Sequence, residues 1–341
     1  MHTNTTVETI DTHTAGEPTR IILSGYDETD LHGLSVPAQR DRFADRYDWL
    51  REFLMCEPRG HDDMFGAVPT EPATPAADLG LFFMDSQGYL DMCGHGTMGA
   101  ITALIETDRL EAADELVVET PAGLVRTAPA VADGHVESVA IRNVDSFVYE
   151  TVTATVELEG RETTIPVDLV SAGNLFGLVD VEHVGLSVDP ENVPAFVDLG
   201  MDLRAALNAE HTITNPFTDR AEDVSIIEFY ESGGGTEGVD RNVVVFGNGQ
   251  VDRSPCGTGT CAKMTLLYDR GELALEEPYP YESVIGTRFT GRLLETRERD
   301  GYAVTTPEVT GSAYITGRHS FVRDGRDGLG PFSFASRSSA D

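Results

Sequence analysis

The pentapeptide Cys93-Gly94-His95-Gly96-Thr97 returns 163 residues later as Cys256-Gly257-Thr258-Gly259-Thr260, and each copy runs straight into an apolar stretch. After the first come Met98, Ile101, Leu104 and Ile105, whose i, i+3, i+6, i+7 spacing makes one helical face. After the second come Met264, Leu266, Leu267 and Tyr268. The register also matches Thr102 with Thr265 and Leu104 with Leu267. The separation is about one domain length. A chain built this way is expected to fold as two related halves, each presenting a thiol at a helix start. Free N–H groups and the positive end of the helix dipole favour an anion there. They should lower a thiol pKa, and the thiolate is the reactive form. One isolated cysteine would read more simply as a small buried hydrophobe. Two in register point to a pair facing one ligand.

The chain of 341 residues has room for about two domains with sizeable cores. No run approaches the ~20 apolar residues of a membrane span. The start, Met1 to Thr6, lacks the basic and apolar regions of a signal peptide, so a cytoplasmic location is expected. Asp and Glu number 58 against 24 Lys and Arg, a net charge of −34, and Lys263 is the only lysine. The acids are scattered and form no tail. Such a surface stays hydrated in high salt, where screening removes much of its self-repulsion; it reads as halophilic. A polyanion-mimicking or cation-binding surface is the other reading. Nucleic acid is excluded as a partner, because phosphates need a basic footprint.

Cys56, Cys93, Cys256 and Cys261 are too few for a disulfide framework in a chain of this size. The spacings C-x-H and C-x4-C are not those of common zinc motifs, so no metal is expected. Cys261 shares the helical phase of Met264 and Leu267 and is assigned to the core.

In chain order, Val7 to Ile10 reads as a strand, Asp11 to Pro18 as a polar loop, and Thr19 to Leu23 as a second strand. Ser35 and Pro37 open a helix bearing Phe43, Tyr47, Leu50 and Leu54. A strand at Leu79 to Met84 precedes Cys93. Short β-rich runs fill Leu116 to Leu158, followed by a strand pair within Leu169 to Val181. A helix is expected over Pro190 to Ala209, with strands at Val224 to Tyr230 and Val243 to Phe246. Asn248-Gly249 marks a turn before the second thiol. Further β segments lie near Ser283 to Leu293, Tyr302 to Thr306 and Ala313 to Thr316, and a disordered tail runs from Ser336 to Asp341. The fold class is therefore α+β: two pseudo-symmetric domains, each a barrel or roll of strands around one helix, with the site in the cleft between them. The expected division is 1–125 with 318–341, carrying Cys93, and 126–317, carrying Cys256.

Four segments, DTHTAGEPTR from Asp11, EPRGHDDMFGA from Glu57, MCGHGT from Met92 and DRSPCGTGT from Asp252, resemble the proline racemase family in content and order. The resemblance implies the diaminopimelate epimerase-like fold, two similar β-barrels each around a central helix. It also implies a racemase or epimerase that needs no cofactor, with Cys93 and Cys256 as its two bases, and a possible homodimer. Inverting an α-carbon removes a proton from one face and returns one to the other, so two opposed thiols need not move. Without a cofactor to hold the carbanion, charge has to be stabilised by hydrogen bonds and helix starts. Gly94, His95, Gly257 and Thr258 match positions that hold the substrate carboxylate. Asp252 matches the contact to the imino nitrogen, although a turn or N-cap role would also account for it. His13, Glu17, His61 and Asp62 fall in the same motifs and are as well explained by loop structure. Arg59 and Arg253 need be no more than local ion pairs.

Within the family, Phe65 and Phe246 resemble the aromatic pocket of proline racemases, and Ile226 fits the same apolar wall. The reading is interconversion of L- and D-proline. The alternative is a 4-hydroxyproline 2-epimerase, since an apolar wall discriminates weakly against an added hydroxyl. Gly96 departs from the family, where proline racemases carry asparagine. Trans-3-hydroxyproline dehydratases typically carry threonine where this chain has Cys256, which argues against that activity. A proline-binding or thiol redox-sensor protein is the non-enzymatic alternative; it would show binding or oxidation at Cys93 with no exchange of the α-proton.

Overall fold

The computed structural model describes residues 5–158 and 160–332; the expected tail, 336–341, lies outside them. By contact the chain divides into two compact units, Met1–Ile141 with Ser312–Asp341, and Arg142–Gly311. Both mix helices and strands, as the composition of the motifs requires.

The first unit contains β1 (Thr5–Thr14), β2 (Glu17–Ile22), α1 (Val36–Met55), β3 (Phe65–Thr70), β4 (Leu79–Asp85), β5 (Tyr89–Leu90), α2 (Gly94–Glu106), β6 (Leu116–Thr120), β7 (Gly123–Ala132) and β8 (His135–Arg142, the last residue beyond the division). The second contains β9 (Phe147–Leu158), β10 (Arg161–Ser171), β11 (Leu175–Asp180), α3 (Val193–Glu210), β12 (Ile213–Thr214), β13 (Ala221–Glu222), β14 (Ile226–Glu231), β15 (Asp240–Phe246), β16 (Gln250–Asp252), α4 (Gly257–Asp269), β17 (Tyr279–Ser283), β18 (Arg288–Arg299) and β19 (Tyr302–Gly311). The chain then re-enters the first unit as β20 (Ala313–Arg323). The expected joints at 125/126 and 317/318 lie within β7 and β20.

The segment expected as a polar loop, Asp11 to Pro18, is instead the tip of a hairpin. β1 and β2 pair from Thr9↔Ile22 to Thr14↔Glu17, and the turn is Ala15-Gly16, with φ of 50° and 101°. Its polar residues are tolerated in strands because several find partners: Thr12 the Thr19 carbonyl, Thr14 the His95 carbonyl, and Asp11 a guanidinium across the hairpin. Arg20 grips the Asp11 carboxylate at 2.8 Å, and both are buried. The remaining guanidinium hydrogens go to the carbonyls of Leu54 and Arg59, which ties the hairpin to the end of α1.

In the first unit the ladder runs β20-β1-β2-β3-β4-β6-β7, with steps antiparallel, antiparallel, parallel, antiparallel, parallel and antiparallel. In the second it runs β9-β10-β11-β14-β15-β17-β18-β19, and its first six steps repeat that sequence of directions. The connections repeat too. A long helix links the third and fourth strands of each ladder, α1 in one and α3 in the other. A short strand pairs back on the fifth, β5 on β4 and β16 on β15, and hands the chain to the helix that starts at a cysteine.

That helix is the core of its unit. α2 packs against β1, β2, β3 and β20, and from His95 to Ile105 it is buried throughout. α4 packs against β9, β10, β11, β18 and β19, and from Gly259 to Leu267 it is buried throughout. A helix hydrophobic all round belongs in an interior. A second apolar layer lies under each long helix: Phe43, Leu50 and Leu54 of α1 with Phe82 of β4, and Phe196 and Leu203 of α3 with Phe229 of β14.

Candidate active site

Cys93 and Cys256 occupy the same place in their helices. Each is the N-cap, and each sulfur accepts a hydrogen bond at 3.4 Å from the N–H three residues on, Gly96 in one and Gly259 in the other. A thiol thus does the work that Ser or Asp usually does at an N-cap. The threonines repeat as well. Thr97 and Thr260 donate their hydroxyls to the carbonyls of Cys93 and Cys256, at 2.7 and 2.8 Å. The glycines let the first turn lie close to its surroundings. A Cβ on Gly96 would come within 3.1 Å of the Phe83 ring and of the Cys93 sulfur. One on Gly259 would lie 2.3 Å from an oxygen of Glu228 and 3.3 Å from the Cys256 sulfur.

The two thiols differ in backbone. Cys93 is extended, with φ −149° and ψ 117°; Cys256 has φ 60° and ψ 116°, a conformation that side chains rarely adopt. Several bonds hold Cys256 there. Its N–H donates to the Ser254 hydroxyl at 3.1 Å, Asn242 donates to the Pro255 carbonyl at 2.8 Å, and Thr260 N–H donates to the Cys256 carbonyl at 2.8 Å. Strain retained at a reactive residue needs such over-determination.

The helix start was expected to lower the thiol pKa, and at Cys256 the opposite holds. Burial pushes it well above the usual thiol range, and the Asp252 and Glu228 carboxylates add to the rise. The Gly259 N–H and the Thr258 hydroxyl, 3.6 Å from the sulfur, act in the expected direction but are outweighed. Desolvation of a charge costs more than a helix dipole returns.

His95, on the first turn of α2, is buried; its ring nitrogens lie 3.4 and 3.5 Å from the Cys93 sulfur, and its ring meets Phe65 edge-on at 4.6 Å. Burial pulls its pKa down to about 3, so the imidazole is neutral at ordinary pH. Its carbonyl accepts from the Thr14 hydroxyl at 2.9 Å. Phe65 therefore packs against the imidazole that borders Cys93. In the other unit Asp252 closes β16, buried, and accepts from the N–H and hydroxyl of Ser254 at 2.8 and 2.7 Å. Burial raises its pKa to about 6 against those bonds. Phe246 and Ile226, at one end of β15 and of β14, are half-buried.

Other motif residues make local contacts. His13 accepts from Gly16 N–H at 3.2 Å in the hairpin turn, and the Asp62 carbonyl accepts from the Ser86 hydroxyl at 2.6 Å. Arg59 stacks over Phe53, 4.0 Å from its centroid. Arg253 donates to the Val251 carbonyl at 3.0 Å. Cys261 is buried, and burial pushes its thiol up to about 12, which makes it inert.

The sequence reading missed what lies beneath α4. Glu228 and Lys263 are both buried, in a unit whose other charges mostly face solvent. The signals were present: one acid inside the apolar strand IIEFYE, and the sole lysine seven residues, two helical turns, after Cys256.

The model of the family described as "Proline racemase" matches residues 9–333. The chain belongs to the proline racemase family. A proline racemase of Clostridioides difficile is 41% identical over 332 residues, 96% of this chain and 98% of that one. A trans-3-hydroxy-L-proline dehydratase of Bacillus thuringiensis subsp. konkukian is 37% identical over 324 residues, 94% of this chain and 96% of that one. Among solved structures, a hydroxyproline epimerase from Agrobacterium vitis with bound trans-4-hydroxy-L-proline superposes with a TM-score of 0.82 at 28% identity, covering 97% of this chain and 96% of that one. The proline racemase family thus includes more than one reaction among proteins this similar. The repeated thiol helix starts belong to a chain matched along nearly its whole length.

Proposed function

We propose that the protein is a cofactor-independent racemase that interconverts L- and D-proline, with Cys93 and Cys256 as paired acid and base. The observation that carries the reading is the identical placement of the two sulfurs, each N-capping the central helix of its own unit. One thiolate takes the α-proton while the other thiol gives a proton to the opposite face of the same carbon; the roles exchange for the reverse reaction. This requires both helix starts to address one substrate. The first-turn N–H groups of Gly94, His95, Gly257 and Thr258 have no partner within their helices, and they supply donors for the carboxylate as charge develops. Asp252 is the anion for the secondary ammonium. Phe65 and Phe246 give the ring apolar walls. In this reading each unit is a roll around its cysteine helix, and the two are pseudo-symmetric, as the repeated ladder supports.

A 4-hydroxyproline 2-epimerase is the second reading, favoured by the hydroxyproline bound in the Agrobacterium vitis structure. The family's dehydratases typically have threonine where Cys256 stands, which supports isomerisation over elimination.

Incubating L-proline with the protein in D2O at high salt should produce the D-enantiomer with deuterium at Cα. Absence of both, with exchange on trans-4-hydroxy-L-proline, would move the assignment to the epimerase. Absence with either substrate, alongside retained binding, would favour a non-enzymatic role. Cys93→Ser and Cys256→Ser should each lower kcat by roughly 10²–10⁴-fold or more. Normal turnover by either variant would sink the two-thiol mechanism.

A further inference from the structure

Cys256, Gly259 and Lys263 stand at i, i+3 and i+7 on α4, so they form one stripe along the helix. Glu228 of β14 lies against that stripe. One of its oxygens accepts from the Tyr281 hydroxyl at 2.6 Å and from Asn242 at 3.3 Å, which fixes the carboxylate. Its other oxygen, Oε2, is buried with no hydrogen-bond partner among the described residues, and it borders the space beside the Cys256 sulfur that a Gly259 side chain would fill. Lys263, at 1% exposure, has its ammonium 3.2 Å from the centre of the Tyr230 ring. The corresponding stripe on α2 is Cys93, Gly96 and Ala100, with the Phe83 ring against the glycine. A buried carboxylate and a buried ammonium thus lie along the stripe of one cysteine helix, whereas an aromatic ring and a methyl lie along the other.

We propose that Glu228 is a positioning residue that holds Cys256 in its protonated form, so that Cys256 is the resting acid of the pair. A carboxylate beside a desolvated sulfur opposes a second negative charge there. Glu228 is ionised above about pH 7, a value raised by burial, and burial brings Lys263 down to about 8. The other charges around the thiol are few. β16 and the turn after it bring Asp252 and Arg253, β15 brings Asp240, and β17 brings the Tyr279 and Tyr281 hydroxyls. Arg270, at the end of α4, is engaged by Asp168 of β10, and Asp180 closes β11. β18 and β19 meet the helix with neutral groups, Gly291 against Met264 and Thr305 against Thr265. Of the two carboxylates that raise Cys256, Asp252 is the stronger and is held by the Ser254 donors and the Cys256 thiol itself; Glu228 has, among the described residues, one oxygen without a partner, and it borders the first turn of the helix.

The consequence for turnover rests on the two-thiol reading: the Cys93 thiolate takes the α-proton and the Cys256 S–H gives its own to the opposite face of Cα. The enzyme is left as Cys93 thiol and Cys256 thiolate, the less favoured free form.

The test is the pH dependence of alkylation by iodoacetamide, read separately at each cysteine by peptide mass in the full-length protein. In the wild type the midpoint for Cys256 should lie above that for Cys93. Glu228→Gln keeps an acceptor for Tyr281 and removes the charge. It should move the Cys256 midpoint down, making alkylation about tenfold faster at a pH above about 7, where Glu228 is ionised, and below both midpoints, and leave Cys93 unmoved. A Cys256 midpoint unchanged in folded Glu228→Gln, or lower than that of Cys93 in the wild type, would overturn the proposal. The wild-type comparison decides the order even if the variant does not fold. No substrate enters the assay, so a failure of α-proton exchange on proline counts against the racemase reading and not against this one.

Discussion

At the scale of single residues, chemistry and strain meet at Cys256. Its φ of 60° is one that glycine adopts without cost and alanine does not. Cys256→Gly should therefore be more stable to urea than Cys256→Ala by about 1 kcal/mol, although the proposed mechanism expects neither to turn over. Equal stability would mean that the strain is absent in solution. Glu228 carries a pH signature of its own. Its folded pKa, about 7, lies above the ordinary 4.5, so the fold favours the protonated form. That contribution is fully present below 4.5 and is lost as pH rises through about 7. Glu228→Gln is neutral throughout, so its stability relative to wild type should improve between pH 5 and pH 8, by at most on the order of 3 kcal/mol. Denaturant unfolding at the two pH values measures this, and a constant difference would refute it. Neither residue's state was legible from the chain. The helix-start argument for an acidic thiol considered only the dipole and could not see how dry the site is.

At the scale of elements, the glycines of the repeated pentapeptide are a matter of clearance. Alanine in a helix is ordinarily about 1 kcal/mol better than glycine. Gly259→Ala should nevertheless destabilise, because its methyl would lie 2.3 Å from one oxygen of the Glu228 carboxylate, whose other oxygen Tyr281 and Asn242 hold in place. Gly96→Ala should be milder, because a ring edge at 3.1 Å needs to yield by only a few tenths of an ångström. Thermal unfolding of the pair checks the order; a milder effect at Gly259 would show that Glu228 is not rigidly held. The cysteine helices themselves were legible, since an unbroken apolar run after a Gly-rich start admits little else. The long helices were legible from their periodicity. Asp11 to Pro18 was misread as a loop because its polar residues find partners in the fold, Asp11 in Arg20 across the hairpin and Thr14 in the His95 carbonyl, which the sequence pattern does not show. The long strands β10 and β18 were read short, because their exposed residues break the apolar pattern at one end, and β19 was cut at Pro307, which the strand accommodates in a buried position.

At the scale of the whole molecule, a net charge of −34 concentrates on the surface, where Asp and Glu far outnumber the arginines available to pair with them. Several arginines engage carboxylates at the surface, as Arg142 does Glu295 at 2.6 Å, but such exposed pairs contribute little each. The unpaired acids repel one another across distances that salt shortens. Tm should therefore rise steeply as salt is raised from about 0.1 M towards molar concentrations. Activity should fall on dilution into low salt, and full stability there would count against a halophilic surface. The order of synthesis gives β20 a further significance. β1 is hydrogen-bonded to β2 on one side and to β20 on the other, yet 298 residues separate the end of β1 from the start of β20. The nascent first unit therefore waits, with one edge of β1 bare, while the second unit is translated from end to end as a contiguous insert. Exposed strand edges recruit other chains. A polypeptide ending at Gly311 should keep the amides of Arg142–Gly311 protected from hydrogen exchange, lose protection along β1, and aggregate where the full chain does not.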